Sequence, residues 1–160
     1  MKIIALGDSF TEGFLVDENY TDYLAQAGHD LINLGINGDT SDGMEKRFDP
    51  LAADVLIVFA GTNDFLNSAS PSEVKSNIEQ IIKKSKASKN IIIIPPLLEL
   101  EPAFPVYELI NASINQYGRL IIDSGWDFID AREINPSYID GVHMRVDFHK
   151  ELANKILEML

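Results

Sequence analysis

The runs Val55-Leu56-Ile57-Val58-Phe59 and Ile91-Ile92-Ile93-Ile94 lack the polar–apolar alternation of a half-exposed strand. Each is therefore expected to be a strand covered on both faces. With three shorter runs they place strands over 2–6, 30–35, 54–60, 90–94 and 126–130. Helical patterns fill the intervals. Ser70-Pro71-Ser72-Glu73 reads as a capping box with proline at the first helical position, and Val74, Ile78, Ile81 and Ile82 share one face of a helix predicted to end near Lys86. Val106, Leu109, Ile110, Ile114, Tyr117 and Ile121 predict a second helix, ending before Gly125. Asp147 is expected to cap a last one carrying Phe148, Leu152, Ile156 and Leu160, and shorter helices are expected after Asn19 and Thr40.

Strands alternating with helices, with no repeat, linker or low-complexity segment between them, favour a parallel sheet with right-handed crossovers and helices on both faces. The expected fold class is α/β, a three-layer α/β/α arrangement around a doubly wound, parallel five-stranded sheet. A chain of 160 residues, 46% of them hydrophobic, suffices for one core and is short for two, so a single domain over 1–160 is expected.

Composition narrows the function classes. With 13 basic against 25 acidic residues the net charge is -12, which repels phosphate backbones and anionic membranes and argues against a nucleic-acid partner. The absence of cysteine excludes disulfides, thiolate metal sites and a cysteine nucleophile. The apolar run Lys2–Leu6 is much shorter than a signal-peptide core or a membrane span, so no stable membrane insertion and a cytoplasmic location are expected. Two glycosylation-type triplets, at Asn19 and Asn111, carry no weight without a secretory context.

Sites in open α/β sheets gather outside the carboxyl ends of the strands. Gly7-Asp8-Ser9 follows the first run, Gly35-Ile36-Asn37-Gly38 the second, Gly61-Thr62-Asn63-Asp64 the third, and Asp140-Gly141-Val142-His143 lies beyond the fifth. Phosphate-loop and dinucleotide fingerprints are absent, and a GxSxG elbow fails at Thr11. A serine hydroxyl becomes a useful nucleophile when a base lies within hydrogen-bond reach, and imidazole suits that role near neutral pH. A carboxylate steadies the imidazolium that forms, and Asp140 stands three residues before His143.

The blocks GDS, NG, GTND and DGVH, in this order from Gly7 to His143, resemble those of the SGNH (GDSL-type) hydrolase family. Phe10 stands where the family nickname expects leucine, which leaves the nucleophile untouched. The resemblance implies a flavodoxin-like fold and a serine esterase or acylhydrolase with Ser9, Asp140 and His143 as catalytic residues. It also implies an oxyanion hole made of the Ser9 and Gly38 backbone N–H groups and the Asn63 amide. Small esters, thioesters, lysolipids or acetylated sugars are the implied partners, and no metal or organic cofactor is needed. Phe14, Leu15, Phe65, Val142 and Met144 are candidates to line a pocket for a short- to medium-chain acyl group, and each reads equally well as core. The proline-rich segment 95–105 could wall the pocket.

Blander readings stand beside these. Ser9 could simply cap a helix, Asn37-Gly38 form a turn, Asn63 and Asp64 make a local Asx turn, and Asp8 accept from its own loop. His29 and His149 read as ordinary surface histidines. A different enzyme would use Asp140, His143, Asp147 and His149 to hold a metal for phosphoester hydrolysis, which leaves Ser9 and Asn63 without roles. A non-catalytic flavodoxin-like binding module is the third possibility. Nothing in the sequence sets an oligomeric state.

Overall fold

Five strands, β1 (Lys2–Gly7), β2 (Asp30–Gly35), β3 (Ala52–Phe59), β4 (Lys86–Ile94) and β5 (Asp127–Asp130), run parallel in the order β2-β1-β3-β4-β5 in a computed structural model that describes residues 1–160. The order reverses between β1 and β3, the switch point at which flavodoxin-like sheets open a crevice beyond their carboxyl ends. Gly7 pairs with both Gly35 and Phe59, so the first three polar blocks leave the sheet at one level.

Six helices lie between the strands, α1 (Ser9–Glu12), α2 (Tyr20–Gln26), α3 (Ser41–Arg47), α4 (Thr62–Leu66), α5 (Pro71–Lys84) and α6 (Val106–Ile122), and α7 (Val146–Met159) follows the last. Because strand side chains alternate, Ile3, Ala5, Ile57 and Ile93 meet α2 and α7 on one face. Their neighbours Ile4, Leu6, Val58 and Ile92 meet α3, α5 and α6 on the other. The two clusters are equal at 18 buried residues each, which is why the strand sequences show no polar face. No helix is long and apolar enough to cross a membrane.

The capping box at Ser70 and Glu73 forms as expected, and Asn19 makes a second one with Asp22. Elsewhere the local structure departs from these expectations. Helix α5 stops at Lys84, where Ser85 turns extended, and β4 begins at Lys86 because Lys86 and Ala87 pair with Ala52 and Ala53 of β3. Asp147 does not cap α7: Arg145 holds that position without a side-chain bond, while Asp147 lies inside the first turn and accepts from the Ser137 hydroxyl at 2.6 Å. Residues 62–66 form the short helix α4 in place of an Asx turn.

Candidate active site

Each of the first three polar blocks is shaped by where its strand ends. Asp8 follows β1, caps α1 and accepts from Phe10 N–H at 3.0 Å, which makes Ser9 the first helical residue. A helix leaves its first N–H groups without intrahelical acceptors, so the Ser9 N–H faces outward from that end. Gly35 lets α1 lie directly on β2, since a Cβ there would stand 2.1 Å from Glu12 N. Gly38 has φ +78°, a left-handed conformation that favours glycine, and its N–H finds no acceptor in the protein.

Asn63 joins these blocks. Its amide donates to Asp39 O at 2.9 Å and lies 3.4 Å from Asp8 Oδ2, so it sits between the Ser9 and Gly38 loops. Asp64 reaches the other way, accepting from the Ser41 N–H at 3.0 Å and the Ser41 hydroxyl at 2.6 Å and so fixing the start of α3. Arg47, which no sequence motif marks, ion-pairs with Asp39 and donates to the carbonyls of Gly7 and Leu34. It thereby ties the ends of β1 and β2 to the Gly38 loop. Nothing in the local sequence distinguishes it from a basic residue at a helix C-terminus.

The fourth block arrives from outside the sheet. It lies ten residues past β5 in a loop closed by an antiparallel bridge between Tyr138 and Met144 and by Ile139 N–H donating to His143 O at 2.9 Å. Asp140 Oδ1 accepts the N–H groups of His143 (2.7 Å) and Val142 (3.0 Å), and Asp140 Oδ2 lies 2.7 Å from His143 Nδ1. Partial burial pushes the Asp140 carboxyl up, but these bonds outweigh it and hold the group below the usual carboxylate range. With Nδ1–H donating to Asp140, His143 Nε2 is free to accept from the Ser9 hydroxyl, 3.0 Å away.

Phe14 is the exposed apolar residue next to this pair, its ring centroid 5.1 Å from that of His143, while the exposed Leu15 lines a separate hollow with Ile139 and Val146. Val142 is half-buried at the edge of the core. Phe65 and Met144 do not line the site. Phe65 packs on Tyr117 and Met144 is wholly enclosed, because the short helix α4 and the Tyr138–Met144 bridge turn them inward. His149 is not a surface histidine either. It is 2% exposed and stacks on Tyr20, and burial lowers its pKa to about 4. With His149 enclosed and Asp147 bonded to Ser137, the four metal-ligand candidates do not converge, and no cluster of three or more such side chains is placed to hold an ion.

The buried acids carry opposite shifts from that of Asp140. Asp8 is completely enclosed, and burial raises its pKa to about 7 despite the Phe10 N–H, with Asp64 adding repulsion. Burial likewise raises Asp64, against the Ser41 bonds.

The sequence matches the GDSL-like Lipase/Acylhydrolase family over residues 5–149, nearly the whole chain, and the protein belongs to that family. It is accordingly a carboxylic ester hydrolase. Among solved structures, a lipolytic G-D-S-L protein from Veillonella parvula is 18% identical with a TM-score of 0.78, covering 100% of this chain and 98% of its own. An aryl esterase from M. smegmatis (21% identical, TM-score 0.72) and a carbohydrate acetylesterase from Sinorhizobium meliloti (16%, 0.72) each cover 99% of both chains. At these identities the likeness speaks for the fold. No curated protein matches the sequence.

Proposed function

We propose that the protein hydrolyses esters of short acyl groups through an acyl-enzyme on Ser9. The observation that carries this reading is the continuous chain Asp140–His143–Ser9, with links of 2.7 Å and 3.0 Å, at the carboxyl edge of the sheet. Ser9 Oγ attacks the acyl carbon while His143 Nε2 takes its proton, and Asp140 stabilises the imidazolium. The oxyanion that develops is bound by the Ser9 and Gly38 N–H groups and the Asn63 amide. His143 then protonates the departing alcohol. Water attacks the acyl-enzyme with His143 again as base, releasing the carboxylate and restoring the serine.

Two features support a short acyl group. Nucleophile and base meet beside the exposed Phe14 ring, and none of the five principal cavities is lined by Ser9, Asn63 or His143. The aryl esterase and carbohydrate acetylesterase among the structural neighbours also fit a small acyl group with variable alcohols.

The test is hydrolysis of p-nitrophenyl esters from acetate to dodecanoate, with and without chelator. Turnover of acetate and butyrate that falls with chain length and ignores chelator is expected. A rising profile with chain length would overturn the short-acyl reading, and an active Ser9→Ala enzyme would overturn the nucleophile.

A further inference from the structure

The loop bearing Asp140 and His143 has no strand or helix of its own, yet it must hold two side chains at hydrogen-bond geometry. Its two shoulders hang on the segment that leaves β4. Tyr138 Oη donates to Leu97 O at 2.7 Å, and Glu99 N–H donates to Gly141 O at 2.9 Å. The second bond orients the carbonyl of the residue just after Asp140, on the side of the turn from which Val142 and His143 aim their N–H groups at Asp140 Oδ1.

Leu97–Glu99 lies outside the sheet, and where Leu98 enters the core its backbone is held by one side chain of α6. Asn111, on the buried face of α6, accepts from Leu98 N–H at 2.7 Å and donates to Leu98 O at 2.9 Å, so that its amide pairs with Leu98 as a strand neighbour would. It is 8% exposed, and the residues around it on that helix face, Ile110, Ile114 and Tyr117, are apolar core. A polar side chain in this setting is tolerated because both its bonds are made, and removing it strands two buried backbone groups.

We infer that Asn111 is a positioning residue for the reaction: through Leu98 it fixes the strap whose flanking residues hold the Asp140–His143 loop against Ser9. The inference rests on the esterase reading for its kinetic consequence, and on geometry alone for its structural one. A small displacement of His143 relative to Ser9 is enough to lower the rate, since misplacement by about 1 Å can cost about 10²-fold.

Two variants grade the effect. Asn111→Asp keeps the acceptor for Leu98 N–H and can donate to Leu98 O only while its carboxyl is protonated; Asn111→Leu loses both bonds. Tyr138→Phe removes one shoulder bond without touching α6. For p-nitrophenyl acetate, kcat per fluorophosphonate-titrated site is expected to fall in the order wild type, Asn111→Asp, Asn111→Leu, the last by about 10- to 100-fold, with KM within about twofold. Tyr138→Phe is expected to fall in the same direction. In parallel, the His143 Nδ1 proton, observed by NMR, should broaden or move upfield in that order. A lower melting temperature with unchanged kcat and an unchanged His143 proton would overturn the inference, leaving Asn111 a purely structural residue. Should the wild type hydrolyse no ester, the esterase reading fails, and the His143 proton still decides whether Asn111 positions the loop.

Discussion

The two halves of the site are built by different means. Ser9, Gly38 and Asn63 stand at the ends of β1, β2 and β3, where a shared register delivers them to one level. Asp140 and His143 stand in a loop that begins after the last strand and is fixed by side-chain and backbone bonds to distant segments. The nucleophile side inherits its precision from the sheet, while the base side depends on bonds that it makes for itself. The first should therefore tolerate loss of the nucleophile's side chain without loss of structure, and the second should couple rate to the bonds that brace it.

The largest expected effect breaks function without touching the scaffold. Ser9→Ala should lower kcat for p-nitrophenyl acetate by ~10³-fold or more, with the denaturant midpoint unmoved, because the only side-chain bond of Ser9 is the one to His143. Asn63→Ala comes next, with a loss of about 10²- to 10³-fold for one oxyanion donor. It should also lose stability, since the same amide ties α4 to Asp39 O. An Asn63→Ala protein that is stable and fully active would show that the strand-borne half does not depend on this residue.

The same difference decides what the sequence could disclose. Ser9, Gly38 and Asn63 follow apolar runs in a chain whose strands are easy to place, so their convergence is legible from the order of residues alone. Asp140 and His143 are legible only as a pair, since no run leads into them. Asn111 looks like half of a glycosylation triplet, Arg47 like a surface cation, His149 like a solvent-exposed histidine, and Phe65 and Met144 like substrate contacts. Each is defined by a partner distant in the chain or by the packing around it, relations that periodicity and local spacing do not carry.

Two enclosed titratable groups, one from each half, have opposite consequences for stability. Asp8, on the nucleophile side, has its folded pKa raised to about 7. Between its ordinary 3.8 and that value the folded chain holds a proton the unfolded chain has lost, so stability falls as pH rises. His149, behind the loop, has its pKa lowered from 6.5 to about 4. Over that window the unfolded chain holds the extra proton, and stability rises with pH. In the wild type the two slopes oppose each other. Relative to it, Asp8→Asn should gain about 3 kcal/mol of unfolding free energy from pH 4 to 6.5, and His149→Gln should lose a similar amount. Urea titrations across this range check both signs, and parallel curves for all three proteins would mean that neither burial shifts the group.

The smallest effect concerns the turn that follows Phe14. Leu15 is a non-glycine residue at φ +66° that leaves its side chain 53% exposed beside Phe14, so the chain carries strain without gaining core packing there. Leu15→Gly should relieve about 1 kcal/mol of that strain in the folded state, offset in part by the greater freedom of glycine in the unfolded chain. If Leu15 contacts the substrate, the variant should be as stable as wild type or slightly more so, yet show a KM that rises more for butyrate than for acetate. Equal KM ratios in the two proteins would assign the exposed leucine no part in acyl selection, leaving that part to Phe14, the exposed ring that packs beside His143.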